Sequence, residues 1–202
     1  MSRHGRAQEI ITIALELAER EGIVGVTTAR LARRMKFTEA ALYRYFSGKA
    51  GILASGLDEL ARHLFATVAI DLMQPGAWQR ETPEALLERH LRRFTHRNGL
   101  LVTLLIHAGE THDLLMRKVA MDFATEYLER MEAFFTNVLE GRPSPVAPGT
   151  LAQMWFCQLL GGFLRCRLSN TDWDPLEQSG YKVFLQQLHT LLELPVPKAP
   201  KA

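Results

Sequence analysis

Cysteine is scarce in this chain, with only two among 202 residues. Cys157 and Cys166 stand nine positions apart, which at about 100° per residue places them on opposite sides of one helix. They cannot bridge each other within it, and their apolar surroundings point to reduced, buried thiols, neither a disulfide framework nor a redox sensor. Long apolar runs are missing as well. The longest, Leu151 to Leu164, is interrupted by Gln153 and Gln158 and falls short of the ~18 residues that read as a membrane span, so no membrane partner is expected. Met1-Ser2-Arg3-His4 leads straight into a charged, periodic segment with no apolar signal-peptide core, which makes a cytoplasmic location the expectation. Nor is there a serine elbow, a phosphate-cradling glycine loop, or a nucleophile with a plausible base. His107-Ala108-Gly109-Glu110-Thr111-His112 lacks the zinc-protease spacing, and one His107/Glu110 pair is too few ligands for a bundle metal site. Enzyme, metal and cofactor are therefore all unexpected.

Strict apolar/polar alternation is absent too, and what replaces it is helical periodicity almost everywhere. With 47% hydrophobic and 23% charged residues, the chain reads as a folded all-α protein of about nine helices. The net charge of +2 is uneven, because residues 1–49 hold nine Lys/Arg against five Asp/Glu. A basic front end hints at a polyanionic partner.

The spacing predicts a helix over 6–21, stopped by Gly22, and two very short helices over 28–35 and 39–45. A longer one runs from Lys49 to about Leu72, ended by Pro75-Gly76. Thr82-Pro83-Glu84 starts the next, with Thr as cap and Pro in the first turn, and Asn98-Gly99 closes it. Further helices are expected over 100–109, 111–140, 150–168 and 175–193. A Pro/Gly-rich connector at 141–149 precedes the last pair, the Ser169-Asn170-Thr171-Asp172 turn joins that pair, and the tail from Pro195 is structureless. The domains follow: a helix-turn-helix head over 1–50, a ligand-binding and dimerisation body over 51–194, and a flexible tail over 195–202.

Residues 27–49 carry the functional argument. Two helices this short cannot stand alone and must be held by packing. Thr27 caps the first, which turns Leu31, Ala32 and Met35 inward. Phe37 plugs the turn, and Thr38 caps the second, which turns Leu42 and Phe46 to the same core. Glu39, Ala40, Ala41, Tyr43, Arg44 and Tyr45 are left pointing outward. The small residues let this helix approach the floor of a DNA major groove, which admits one helix. Tyr43, Tyr45 and Lys49, with Thr28 and Arg30 from the first short helix, are expected on phosphates, and Arg44 with the edge from Glu39 to Ala41 on bases, Thr38 being counted among the DNA-binding residues as well. A plain solvated hairpin would explain Arg30, Arg33, Arg34 and Lys36 as a charge run. It would not explain why caps, plugging Phe and outward aromatics coincide.

Thr27-Thr28, Leu31-Ala32 and Leu42-Tyr43-Arg44-Tyr45-Phe46 followed by Lys49 resemble the TetR family of transcriptional regulators over about residues 6–60. The resemblance implies a cytoplasmic, nucleoid-associated homodimeric repressor on double-stranded DNA. It also implies a four-helix interface from the last two helices and a small-molecule effector held among the middle helices. One departure is Lys36, where the family usually has Gly; a left-handed non-Gly residue costs roughly 1 kcal/mol. Within the family, Thr38-Glu39-Ala40-Ala41-Leu42-Tyr43-Arg44 and Arg97-Asn98-Gly99-Leu100 are also similar to the nucleoid-occlusion division inhibitors, which bind DNA and a tubulin-like division protein.

The helix over 150–168 is apolar on more than one face. One face suits the chain's own core and the other a partner, with Gly161-Gly162 permitting close approach. Leu151, Trp155, Leu159, Gly162, Phe163, Phe184, Leu188 and Leu191 are the expected dimer interface. The alternative is that both faces are buried in one subunit. His107, Glu110, Phe123 and Trp155 are candidates to line an effector pocket, with ordinary packing as the competing explanation.

Overall fold

A computed structural model describes residues 3–74, 76–93, 96–142, 144–169 and 179–193. Among them every regular element is a helix: α1 Arg3–Gly25, α2 Thr28–Met35, α3 Glu39–Leu42, α4 Lys49–Asp71, α5 Ala77–Arg80, α6 Pro83–Arg92, α7 His96–Glu110, α8 Leu114–Val138, α9 Pro148–Ser169 and α10 Ser179–Glu193. The all-α expectation holds, the single turn α5 being the addition to the nine anticipated. Pro75, the turn over 170–172 and the tail from Pro195 lie outside the described residues.

Local chemistry explains most boundaries. Thr27, Thr38 and Thr82 each accept from the backbone N–H three residues on, at Arg30, Ala41 and Ala85, all at 3.2 Å. Pro83 follows the last of these in the first turn. Gly22 does break α1, at φ 74 and ψ 171, but a short turn resumes beyond it to Gly25. The helix expected over 83–99 breaks earlier than Asn98-Gly99. The N–H of Arg93 bonds back to the carbonyls of Arg89 and His90 at 3.3 and 3.2 Å, ending α6, and Asn98 and Gly99 lie inside α7. A helical glycine costs only about 1 kcal/mol, which the burial of Leu100, Leu101, Val102 and Leu104 in the same helix outweighs.

The chain divides into two compact units, Met1–Leu64 with His96–Ala124, and Phe65–Thr95 with Thr125–Ala202. In the first, α1 packs on α2 and α7, and α2 on α3, around an aliphatic core of Ile10, Ala14, Leu17, Leu31, Leu42, Leu53, Leu57 and Leu104. In the second, α10 packs on α9 and α6. Its core is aromatic: Trp155 meets Phe184 and Tyr181 with ring centroids 5.4 and 6.0 Å apart, and Phe135 meets Phe134 and Phe184 at 5.2 and 6.2 Å. The indole N–H of Trp155 donates to the Tyr127 hydroxyl at 3.0 Å, and burial pushes the Tyr127 phenol well above its ordinary range. This unit also buries charge. Asp71 on α4 and His90 on α6 are each 1% exposed; Arg93, Arg89 and His90 approach the Asp71 carboxylate to 3.4, 3.7 and 3.8 Å.

The dimer-interface expectation is corrected in its details. Leu151, Trp155, Leu159, Phe163, Phe184 and Leu188 are buried within the single chain, and Gly162 and Leu191 are half-buried. Both stripes of α9 are apolar, so periodicity could not say which faces inward. The bulky aromatic stripe went in, because the interior supplies the acceptor that Trp155 needs. The stripe left outside is Met154, Cys157, Gly161, Leu164 and Leu168, at alternating spacings of three and four. Cys157 is thus exposed, contrary to expectation, while Cys166, on the opposite side, is buried.

Candidate nucleic-acid interface

The head is assembled from the turn outward. Leu31, Ala32 and Met35 of α2 and Leu42 of α3 are buried, and between them the chain reverses through Lys36, at φ 56 and ψ 40. The reversal is closed by Phe37 N–H on the Ala32 carbonyl at 2.8 Å, the bond that ends a helix through a left-handed residue. Phe37 plugs the turn with the Arg6 guanidinium 5.6 Å over its ring. After Leu42 the backbone tightens: Tyr45 N–H bonds to Leu42 O at 2.9 Å. Residues 43–45 therefore form a turn, and α3 is shorter than the helix expected over 39–45.

This tight corner pushes side chains out. Thr38, Glu39, Ala40, Tyr43 and Arg44 are exposed, Tyr43 to 57%; Ala41 and Tyr45 are half-buried. Arg3 donates to the Arg44 carbonyl at 2.8 Å, tying the start of α1 to this edge. The Thr28 hydroxyl donates to Glu39 Oε2 at 2.7 Å, joining the first residue of α2 to the first of α3.

Two of the cations expected on phosphates have partners of their own. Arg30 donates to Glu21 at 2.7 Å and to the Gly25 carbonyl at 3.1 Å. That guanidinium, hydrogen-bonded to Glu21, holds its carboxyl below the usual carboxylate range. Lys49 donates from Nζ to the Ile23 carbonyl at 2.7 Å, and burial lowers the pKa of its ammonium. Both converge on the end of α1, where carbonyls lack intrahelical partners and a cation is favoured by the dipole. Contacts spanning 26 residues, as from Lys49 to Ile23, leave no trace in local spacing, so sequence reasoning missed them.

The profile of the bacterial regulatory proteins, tetR family, matches residues 10–55, which run from the core of α1 through both short helices into α4. Over residues 10–55 the chain is similar to the TetR family of regulators. The head just described is the part that carries this similarity. The nucleoid occlusion factor SlmA of Mannheimia succiniciproducens is similar along nearly its whole length, 28% identical over 199 residues, covering 93% of this chain and 87% of the relative. A regulatory protein TetR from Rhodobacter sphaeroides has a similar structure, with a TM-score of 0.71 at 20% identity over 89% of this chain and 96% of that one. FadR from Bacillus subtilis, solved with stearoyl-CoA, is similar with a TM-score of 0.66 at 15% identity, over 92% and 97%. At these identities the two solved structures speak for the fold.

Lys36 stands where the TetR family usually has Gly, and it takes the left-handed conformation that Gly would supply. It is the one non-glycine with positive φ among the described residues. The candidates for an effector pocket are not brought together within either unit. His107 is half-buried, Glu110 exposed and Phe123 buried in the first unit, while Trp155 is fully buried in the second. A hollow of about 320 Å³ in the second unit is lined instead by Leu151, Met154, Phe184, Leu188 and Leu191. No group of three or more His, Cys, Asp or Glu among the described residues could hold a metal ion, and no described helix is long and apolar enough to cross a membrane.

Proposed function

We propose that this chain is a cytoplasmic, homodimeric repressor, head over 1–50 and body over 51–194, whose two heads seat residues 38–45 in successive major grooves of a near-palindromic operator. The observation that carries this reading is the corner after α3. Ala40 presents no bulk, Tyr43 and Arg44 stand free of the core, and the Thr38 cap together with the buried Leu42 holds the helix that presents them. Two such heads would meet one duplex about 34–36 Å apart. The outer stripe of α9 supports the dimer: Met154, Leu164 and Leu168 are exposed, and a Cβ added to Gly161 would meet nothing within 4 Å. A seam of that spacing buries its apolar atoms against a second helix. Tyr43 and Tyr45 serve phosphates and Arg44 a base edge, whereas Arg30 and Lys49 fasten the head to α1. A small molecule that favours a head separation unfit for the operator would release it, by as much as its affinity differs between the two separations.

A gel-shift titration on genomically selected DNA tests the reading. Tyr43→Ala is expected to weaken binding to every sequence, and Arg44→Ala to relax preference at particular bases. Unchanged affinity and preference in both variants would overturn it. A second reading is favoured by one observation, the extent of similarity to SlmA: a role in nucleoid occlusion. Co-sedimentation with polymers of the tubulin-like division protein, in the presence of the bound DNA, separates the two. Altered assembly supports the second reading, and regulated promoters beside the bound sites support the first.

A further inference from the structure

We infer that Glu39, held by Thr28, is the base-reading carboxylate of the head and selects a cytosine in each half-site. The inference rests on the DNA-binding reading above and supplies its recognition chemistry. Glu39 is unlike the other paired acids of the head. Glu9, Glu16 and Glu21 each answer an arginine, namely Arg6, Arg34 and Arg30. The bond that Glu39 makes among the described residues is to an uncharged hydroxyl, that of Thr28. An exposed, unneutralised carboxylate on the edge of a basic head is repelled by a polyanion. Bringing it to the duplex is favourable only where it meets a hydrogen-bond donor.

Donors are few in the major groove: the N4 amino group of cytosine and the N6 amino group of adenine. They are not equivalent to a carboxylate. The adenine amino group lies between two acceptors, its own N7 and the O4 of the paired thymine, both of which repel a carboxylate oxygen. The cytosine amino group has an acceptor, the guanine O6, on one side and a C5–H on the other. Cytosine is therefore the base that Glu39 fits. Its Oε2 is occupied by Thr28, which leaves Oε1 to accept from the base. The neighbouring Ala40 and Ala41 let it come close.

Thr28 is thereby a positioning residue and not a phosphate grip. A hydroxyl has one proton to donate, and it goes to Glu39. The bond fixes one carboxylate oxygen from a second helix, so the reading atom is placed before DNA arrives and loses less rotamer freedom on binding.

The test is selection from a randomised duplex pool by the full-length protein, comparing wild type with Glu39→Gln, Thr28→Val and Thr28→Ser. Wild type should enrich cytosine at one position per half-site, with about tenfold discrimination there. Glu39→Gln should lose that enrichment and gain adenine, whose N6 and N7 a carboxamide can meet together. Thr28→Val should weaken the cytosine preference at that one position, and Thr28→Ser should restore it. A wild type that selects a motif which Glu39→Gln selects unchanged would sink this inference while leaving the DNA-binding reading intact. Loss in Glu39→Gln with no change in Thr28→Val would remove the role of Thr28. A wild type that selects no motif at all would overturn the DNA-binding reading and this inference with it. Both positions are exposed or half-buried, so folding is retained.

Discussion

The two compact units solve the same packing problem with different residues. The first, which holds the head, has a single buried aromatic among its described residues, Phe123, and is otherwise filled by Leu, Ile, Ala, Val and Met. The second buries Phe65, Tyr127, Phe134, Phe135, Trp155, Phe163, Tyr181 and Phe184. The short helices of the head, α2 and α3, are one source of the contrast. A one-turn element such as α3 reaches its neighbours through one or two side chains, so its interior must be compact, and Leu42 is all it contributes to the core. Long helices such as α8 and α9 meet along many turns and have room for rings. Of the aromatic side chains in the first unit, Phe37, Tyr45 and Phe46 are half-buried and Tyr43 is left exposed, free to meet something else. The second unit also tolerates polar burial, at Asp71 with His90 and at Tyr127 with Trp155, because each has an answering group.

Three substitutions would break or sharpen that contrast. The largest effect is expected from Trp155→Ala, which opens a ring-sized cavity and strips Tyr127 of its donor. Chemical denaturation should show a loss of about 4 kcal/mol. A loss below that of an ordinary leucine truncation would mean that the aromatic cluster is not the second unit's main support. Next is Asp71→Ala, which removes the buried carboxylate that Arg89, Arg93 and His90 approach. Both arginines reach solvent and Arg89 keeps Glu81 at 2.6 Å, so the cost is smaller, about 2 kcal/mol by the same measurement. A more stable variant would show the buried carboxylate to be a burden. The smallest effect, and of opposite sign, belongs to the first unit. Lys36→Gly should raise stability by about 1 kcal/mol, since glycine adopts the left-handed turn without a Cβ penalty. A lowered melting temperature would show that the Lys36 side chain does something that its backbone does not explain.

How much could be read beforehand depended on range. The caps at Thr27, Thr38 and Thr82 are three-residue matters, and all three side chains bond where their spacing said they would. The strain at Lys36 was readable from its neighbours and the family pattern. The side of α9 facing inward was not, because both stripes are apolar and only the Tyr127 acceptor on α8 decides. The break between α6 and α7 was misplaced for a similar reason: Gly99 carries a stop signal that local propensity respects and burial of Leu100 to Leu104 overrides. Within the candidate site, the exposure of Glu39, Ala40, Tyr43 and Arg44 was readable from which positions the core claims, whereas Ala41 and Tyr45, expected outward, are half-buried. The partners of Arg30 and Lys49 were not, being set by where α1 ends in space, nor was that of Thr28, set by how α3 folds back on α2.

That convergence on the end of α1 bears on how the protein behaves in a changing cell. A cation already paired with a carboxylate of its own chain, as Arg30 is with Glu21, reaches the duplex largely neutralised and displaces few of the condensed ions around it. Each phosphate that is truly neutralised steepens the logarithmic dependence of affinity on salt by about 0.9. With Arg30 paired to Glu21, and Arg6 and Arg34 to Glu9 and Glu16, the ionic-strength sensitivity of this head is set by fewer charges than the nine basic residues of 1–49 suggest. It should stay on its site through an osmotic upshift that would strip a head of equal charge whose arginines were free.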